Sequence, residues 1–160
     1  MNVENIKLIV ADVDGTLTDG GMYIGDSGEE FKKFNTKDGM GFKILIKQGY
    51  KVGVISASHS KKTVLKRAEI LGMQYHYVGN ENKTLVIEEW MREMKIGYEA
   101  VAYIGDDIND LDLIKKAGFT ACPADAVEIV KERVDVVLQK KGGEGCFREL
   151  VDRYFYLRPE

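Results

Sequence analysis

The chain has 160 residues, with 23 basic and 26 acidic side chains and a formal net charge of −3. This length predicts a single domain over residues 1–160 that is large enough to bury a hydrophobic core. No basic stripe indicates a nucleic-acid partner, and no apolar run is long enough to span a membrane. The first residues lack the pattern of a signal peptide, and the two cysteines have no metal-binding spacing, so we expect a reduced, cytoplasmic protein.

Short apolar runs rich in branched residues alternate with segments of helical periodicity along the chain. The predicted strands are Lys7–Ala11, Lys51–Ile55, Tyr75–Val78, Val101–Ile104, Phe119–Cys122 and Val134–Leu138. The predicted helices are about Gly39–Lys47, Ser60–Leu71, Lys83–Met94, Asn109–Lys116, Ala126–Arg133 and Glu144–Phe155. This alternation predicts an α/β fold with a doubly wound, mainly parallel sheet.

One glycine-rich segment, Asp19–Phe34, breaks the alternation after the first strand. Two apolar stretches flank its central turn residues Asp26-Ser27-Gly28, which predicts an inserted β-hairpin over about residues 19–34. An isolated hairpin is marginal in water, so this one must pack on its own domain or on another copy of the chain. The residues themselves leave both alternatives open.

Two carboxylates, Asp12 and Asp14, follow the first apolar run. In extended backbone they project to the same side, where they repel each other unless a cation or an acid–base reaction uses them. A calcium loop would require Asp or Asn, Gly and Glu at three later positions, which here are Thr16, Leu17 and Tyr23. A solvated turn remains the alternative for this pair taken alone.

Polar residues also follow the other main strands. Ligands of open α/β sheets bind outside the carboxyl ends of the strands, so these side chains are expected to gather at one edge. Each could separately cap or flank a helix, but together they suit a hard cation and a phosphate group. A carboxylate can attack phosphorus, while a lysine and a hydroxyl can hold phosphoryl oxygens. The full set is Asp12, Asp14, Ser56, Lys83, Asp106, Asp107 and Asp110.

In type and order, these residues resemble the four motifs of the haloacid dehalogenase superfamily of phosphatases. The segment from Asp12 to Thr16 resembles the first motif, Ser56 the second, Lys83 the third and Gly105–Asp110 the fourth. The resemblance implies a Rossmann-like core and hydrolysis through an aspartyl-phosphate with Mg²⁺ as cofactor.

The resemblance also implies individual roles. Asp12 would be the nucleophile and Asp14 the general acid and base, with Ser56 and Lys83 holding the phosphoryl group. Asp12, the backbone carbonyl of Asp14, and Asp106 would hold Mg²⁺. The supporting acids would be Asp107 and Asp110.

Further segments resemble the capless branch of this superfamily that acts on octulosonate 8-phosphate and related sugar acids. They are Thr18–Gly21, Phe34-Asn35, Asp38–Gly41 and Gly142–Glu149. The spacing agrees, because only 39 residues separate Thr16 from Ser56, which is too few for a cap domain. The resemblance implies a homotetramer in which the inserted hairpins associate.

The second motif departs from this branch. Octulosonate phosphatases usually have Ser/Thr-Gly-Arg, and nonulosonate phosphatases have an acidic residue at the third position, whereas this chain has Ser58. Some other cation must therefore meet the substrate carboxylate, for which arginine is favoured. The predicted substrate-binding residues are Thr16, Ala57, Arg67 and Arg148. The alternative for the two arginines is an ordinary surface ion pair.

The first functional hypothesis is a Mg²⁺-dependent phosphatase acting on a phosphorylated 2-keto-3-deoxy sugar acid. Octulosonate 8-phosphate is the first candidate and nonulosonate 9-phosphate the second, with no nucleic-acid or membrane partner. A phospho-accepting receiver domain is disfavoured, because its acceptor aspartate lies away from the acidic pair and has no second aspartate two residues later. A catalytically inactive assembly module is disfavoured because all four motifs are intact.

Overall fold

The structure is a computed structural model that describes residues 3–59 and 61–156. Its strands are β1 (Leu8–Asp12), β2 (Tyr23–Ile24), β3 (Glu30–Phe31), β4 (Lys51–Ser56), β5 (Tyr75–Val78), β6 (Val101–Ile104), β7 (Phe119–Cys122) and β8 (Val136–Val137). Six of them form one parallel sheet in the order β5–β4–β1–β6–β7–β8, while β2 and β3 form an antiparallel hairpin. The predicted α/β fold and inserted hairpin are confirmed.

Helices connect successive strands of the sheet, and the last helix follows the last strand. They are α1 (Thr36–Lys47), α2 (Lys61–Leu71), α3 (Lys83–Met94), α4 (Leu111–Ile114), α5 (Glu128–Lys131) and α6 (Cys146–Leu150). Two 3₁₀ turns cover Tyr98–Ala100 and Ile108–Asp110, and a π-helical turn covers Val151–Phe155. Ser60, the predicted start of the second helix, lies outside the described residues. None of the described helices is long and apolar enough to cross a membrane.

Helices cover both faces of the sheet, and the alternating residues of β1 show the two cores. Leu8 and Val10 belong to a core with residues of α3, α4 and α5, whereas Ile9 and Ala11 belong to a second core with residues of α1, α2 and α6. Burial on both faces explains why this strand is apolar throughout and lacks the alternation of a half-exposed strand.

Several elements near the C-terminus are shorter than the sequence predicts. The last strand was expected over Val134–Leu138, but only Val136 and Val137 pair with β7. Asp135 is engaged differently, because its carboxylate accepts hydrogen bonds from the backbone N–H and the hydroxyl of Thr120, both at 2.8 Å. The predicted helix over Ala126–Arg133 is reduced to α5.

Two predicted helices are each divided into two shorter helical elements. The segment Asn109–Lys116 forms a 3₁₀ turn followed by α4. Asp107 caps the start of the turn, because its carboxylate accepts a hydrogen bond from the Ile108 N–H at 2.7 Å. The segment Glu144–Phe155 becomes α6 and the π-helical turn.

The sheet order positions the site. Strand β1 lies between β4 and β6, so the carboxyl ends of these three strands meet at the centre of the sheet edge. Asp12 is paired in register with Ile55, the residue before Ser56. Residues 3–59 and 61–156 include no cap domain, which leaves this edge to be covered only by the hairpin and loops.

Candidate active site

The carboxylate of Asp12, 6% exposed, lies at the bottom of a cleft where β1 ends. Nζ of Lys83, the first residue of α3, lies 2.5 Å from Oδ1 of Asp12 and 2.6 Å from Oδ1 of Asp110. Burial by itself would lower the pKa of Lys83, but the charges of Asp12 and Asp110 raise it above its ordinary value. Lys83 is therefore a buried, permanently positive group beside the proposed nucleophile.

Three carboxylates converge beside this lysine. Asp12, Asp106 and Asp110 each offer an oxygen within 4.8 Å of the others, close enough to hold one metal ion. Burial raises the pKa of Asp12 well above its ordinary value, although the charge of Lys83 opposes the shift. Burial and the charge of Asp110 raise the pKa of Asp106 to about 6. The three clustered carboxylates form an oxygen-only ligand set, which fits a hard divalent cation.

The loop after β1 is built around Asp106. The hydroxyl of Thr16 donates to Oδ1 of Asp106 at 3.0 Å. Gly15 has a φ of +86°, and a Cβ atom at this position would lie 2.0 Å from Oδ2 of Asp106, so only glycine fits. Thr16 is fully buried and supports Asp106; it does not line the cleft, where a substrate-binding residue was expected.

The two predicted supporting acids have different positions. Oδ2 of Asp110 accepts the backbone N–H groups of Asp106 at 2.9 Å and Asp107 at 3.2 Å, so this carboxylate orders the whole fourth motif. Asp107 caps the following 3₁₀ turn and lines the cleft.

Tyr103, on β6, is a site residue that the sequence analysis did not identify. Its hydroxyl donates to Oδ1 of Asp110 at 2.5 Å and lies 3.4 Å from Nζ of Lys83. The sequence contained one indication of this role: Tyr103 lies within a strand that is predicted to be buried, and a buried tyrosine hydroxyl requires a hydrogen-bond partner.

Asp14 and the end of β4 form the opposite side of the cleft. The Asp14 side chain is 43% exposed, and Oγ of Ser56 donates to its Oδ2 at 3.4 Å. Ser56 also accepts the backbone N–H of Ser58 at 3.0 Å. Ala57, Ser58 and His59 line the same cleft, so the structure brings the second motif to the place that the sequence predicts.

The hairpin contributes a second residue that the sequence analysis did not identify. Lys32, directly after β3, places Nζ 2.5 Å from Oδ1 of Asp14 and 2.9 Å from Oε1 of Glu30. Gly20, Met22, Glu30 and Lys32 all line the cleft. The hairpin thus packs partly on its own domain.

The two predicted substrate-binding arginines lie elsewhere in the described chain. The guanidinium of Arg67 lies 5.7 Å from the centre of the Phe34 ring and borders a small cavity with Asp38. Nε of Arg148 donates to Asp152 at 2.7 Å. Neither arginine lines the cleft of its own chain.

The chain is similar in sequence to characterised phosphatases. Residues 77–150 match a family model described as haloacid dehalogenase-like hydrolase. The 3-deoxy-D-manno-octulosonate 8-phosphate phosphatase of Escherichia coli K12 is 38% identical over 149 residues, which cover 93% of this chain and 79% of the relative.

Solved structures agree with this relationship. The cobalt-bound deoxy-D-mannose-octulosonate 8-phosphate phosphatase of Haemophilus influenzae superposes with a TM-score of 0.88 at 38% identity, covering 94% of this chain and 87% of that chain. The Moraxella catarrhalis 3-deoxy-D-manno-octulosonate 8-phosphate phosphatase, in complex with magnesium, phosphate and KDO, has a TM-score of 0.88 at 32% identity, covering 92% and 84%. The chain therefore belongs to the haloacid dehalogenase-like hydrolases and is a phosphoric monoester hydrolase of their capless branch.

Proposed function

We propose that this chain is a Mg²⁺-dependent phosphatase for a phosphorylated 2-keto-3-deoxy sugar acid, with 3-deoxy-D-manno-octulosonate 8-phosphate as the first candidate. One observation carries the proposal: a buried Asp12 bound by Lys83 faces the same cleft as an exposed Asp14. The two carboxylates thus have different environments, which suit Asp12 for the role of nucleophile and Asp14 for that of general acid. The similarity to two 3-deoxy-D-manno-octulosonate 8-phosphate phosphatases supports the choice of sugar acid.

The first half-reaction forms an aspartyl-phosphate. A carboxylate oxygen of Asp12 attacks phosphorus, and the bond from phosphorus to the alcohol oxygen of the substrate breaks. Asp14 gives its proton to that leaving oxygen, so a neutral alcohol departs. Lys83 compensates charge beside Asp12, and Ser56 offers its hydroxyl to a phosphoryl oxygen.

The second half-reaction releases phosphate. Asp14, now a carboxylate, removes a proton from a water molecule as the water oxygen attacks phosphorus. The bond between phosphorus and Asp12 breaks, which returns Asp12 to its carboxylate form and Asp14 to its protonated form. Because the same group acts first as an acid and then as a base, each turnover consumes one water and leaves the enzyme unchanged.

Asp12, Asp106 and the backbone carbonyl of Asp14 would hold the cation, with Asp110 ordering them. When bound, Mg²⁺ offsets the repulsion between an anionic nucleophile and a phosphate dianion. A cobalt-bound and a magnesium-bound relative support a divalent ion. The acidic, oxygen-only ligand set supports magnesium among these ions.

Assembly into a homotetramer, in the cytoplasm, is part of the proposal. Met22, Tyr23, Ile24 and Phe31 are 54–66% exposed on the hairpin, more apolar surface than an isolated hairpin should present. Phe34, at the end of the same segment, packs against the core. An association of hairpins from several copies would bury the exposed set.

A panel of phosphate esters tests the function. Purified protein is assayed for phosphate release from octulosonate 8-phosphate, nonulosonate 9-phosphate and p-nitrophenyl phosphate, with Mg²⁺ or with EDTA. We expect the highest kcat/KM for octulosonate 8-phosphate and no turnover in EDTA. Nonulosonate 9-phosphate is included because Ser58, which lines the cleft, carries neither of the charges usual there. Comparable kcat/KM for all three esters would contradict a sugar-acid substrate.

A further inference from the structure

Lys32 differs sharply from its neighbour on the hairpin. Side chains alternate along an extended segment, so Glu30 and Lys32 face the cleft while Phe31 and Lys33 face away. The Lys32 side chain is 3% exposed, whereas that of Lys33 is 61% exposed. A buried ammonium requires nearby acceptors or negative charge, and the cleft supplies both.

Lys32 and Ser56 hold Asp14 from two directions. Nζ of Lys32 lies 2.5 Å from Oδ1 of Asp14, and Oγ of Ser56 lies 3.4 Å from Oδ2. Glu30 accepts from the same ammonium at 2.9 Å, which keeps Nζ in place. Both oxygens of an otherwise half-exposed carboxylate are thus engaged, one by the hairpin and one by β4.

We infer that Lys32 is a positioning residue that holds the Asp14 carboxyl group toward the leaving oxygen of the substrate. The inference rests on the proposed phosphatase chemistry. An acid must lie within hydrogen-bond reach of the oxygen that it protonates, and an error of about 1 Å can cost on the order of 10²-fold in rate. Without Lys32, the half-exposed Asp14 side chain would lose the partner of its Oδ1 and would be free to turn toward solvent.

The choice of substrate separates this role from others. The alcohol of a sugar phosphate is a poor leaving group and needs a proton, whereas p-nitrophenolate leaves without one. Misplacing Asp14 should therefore slow formation of the aspartyl-phosphate, the step that kcat/KM reports, much more with the sugar-acid phosphate than with p-nitrophenyl phosphate. The later hydrolysis step, in which Asp14 acts as the base, is common to both substrates. A lysine that only anchors the hairpin would affect both substrates equally, and a lysine that binds substrate would act mainly on KM.

The test variant is Lys32→Met, which keeps the aliphatic stem and removes the ammonium. We expect kcat/KM for the sugar-acid phosphate to fall about 10–100-fold without a rise in KM, with a much smaller fall in kcat/KM for p-nitrophenyl phosphate. Lys32→Arg should recover part of the loss. The double variant Lys32→Met/Asp14→Asn should be no slower than Asp14→Asn, because both changes disable the same acid.

The matched control is Lys33→Met. It breaks the exposed ion pair between Lys33 and Asp19, 2.8 Å long, in the same hairpin, and should leave both substrates at wild-type rates. If Lys32→Met does not fold, Glu30→Ala removes the second acceptor of Nζ and is expected to show the same substrate dependence, weakened.

Four outcomes overturn the inference: no loss in Lys32→Met, equal losses of kcat/KM on both substrates, a change confined to KM, or additive losses in the double variant. Failure of the underlying function looks different. Wild-type kcat in Asp14→Asn would remove Asp14 as the acid, whereas a slow Asp14→Asn beside an unaffected Lys32→Met would remove only the role of Lys32.

Discussion

The hydroxyl of Tyr103 donates a hydrogen bond to Oδ1 of Asp110 at 2.5 Å, and both residues are completely buried. Burial, together with the charge of Asp110, raises the pKa of Tyr103 well above its ordinary value, so the hydroxyl stays protonated and remains a donor. The same Asp110 oxygen accepts from Lys83 at 2.6 Å. Tyr103 therefore connects the interior of β6 to the lysine that contacts the nucleophile.

Replacing Tyr103 by Phe should lower stability and activity together. Tyr103→Phe keeps the ring and deletes a buried hydrogen bond to a charged group, which is expected to cost about 1.5–3 kcal/mol in the free energy of unfolding. Lys83 also loses a neighbour that restrains it, so kcat should fall several-fold. Urea unfolding and steady-state kinetics measure both effects. Tyr75→Phe, which deletes an exposed contact to Glu93 at 3.3 Å, is the control and should change the free energy of unfolding by less than about 0.5 kcal/mol.

Asp12 and Asp14 should differ in metal binding. Asp12→Asn removes the proposed nucleophile and a proposed metal ligand, so we expect turnover to be abolished and Mg²⁺ affinity to fall while far-UV circular dichroism is unchanged. Asp14→Asn keeps the backbone carbonyl, so Mg²⁺ affinity should be retained while kcat drops by roughly 10²–10⁴-fold. Calorimetric titration of each variant with Mg²⁺ separates the two. Asp112→Asn, on the exposed start of α4, should behave as wild type.

The central site could be predicted because its residues follow apolar runs directly. Asp12, Ser56 and Asp106 stand at the carboxyl ends of β1, β4 and β6, and a parallel sheet brings such ends together. Lys83 was predicted because it follows a strand and begins a helix, where the helix dipole disfavours a cation unless something compensates it.

The remaining site residues depended on information that periodicity does not carry. In the sequence, Tyr103 is indistinguishable from the apolar residues of a buried strand. The partners of its hydroxyl can be identified only when α3 and the 3₁₀ turn are placed beside β6. Lys32 belongs to a hairpin with two residues in each strand, too short for alternation to define which side faces the cleft. Apolar periodicity also does not show where strand pairing stops, so β8, which pairs only at Val136 and Val137, is shorter than the sequence predicts.

Asp38 is a buried acid outside the active site, and only one of its oxygens has a partner. Oδ1 accepts the backbone N–H of Arg148 at 2.8 Å, which joins α1 to α6, whereas Oδ2 is buried with no hydrogen-bond partner among the described residues. Burial raises the pKa of Asp38 to about 6, although the Arg148 N–H opposes the shift. The folded protein consequently binds this proton more tightly than the unfolded chain.

Stability should therefore fall as pH rises through this range. Between the unfolded pKa of about 3.9 and the folded pKa of about 6, the folded state holds more protons, so the free energy of unfolding decreases with increasing pH. Asp38→Asn keeps the acceptor for Arg148 and removes the titration. We expect wild type to lose roughly 2–3 kcal/mol relative to this variant between about pH 4 and pH 7. Urea unfolding at both pH values measures the difference, and a constant difference between the two proteins would refute the assignment. Asp112→Asn, which keeps Asp38, is the control and should follow wild type at both pH values.

The hairpin should hold the assembly together. Ile24→Lys combined with Phe31→Lys places two charges in the exposed apolar set and should convert the proposed tetramer to smaller species, because burying unpaired charges is costly. Sedimentation velocity at micromolar concentration measures the change. Leu85→Lys, at an equally exposed apolar position on α3, is the control and should leave the assembly intact. A wild-type protein that sediments as a monomer would contradict the tetramer.

Arg67 and Arg148 should contact substrate only across a subunit boundary. Neither lines the cleft of its own chain, so a contact with the substrate carboxylate requires a second copy. If either arginine makes that contact, its change to Ala deletes a charge-assisted pair and should raise KM for the sugar-acid phosphate about 10–100-fold, but not for p-nitrophenyl phosphate, which has no carboxylate. Arg133→Ala, at a surface arginine, is the control and should leave KM for both substrates unchanged.

An experiment that mixes subunits locates the contact. Assemblies of Arg67→Ala subunits with Asp12→Asn subunits contain some sites with a native Asp12 from one copy and a native Arg67 from another. Such mixtures, and the matching mixtures with Arg148→Ala, should exceed the summed activity of their parents at low substrate concentration. Mixtures that only match this sum would place the carboxylate contact elsewhere.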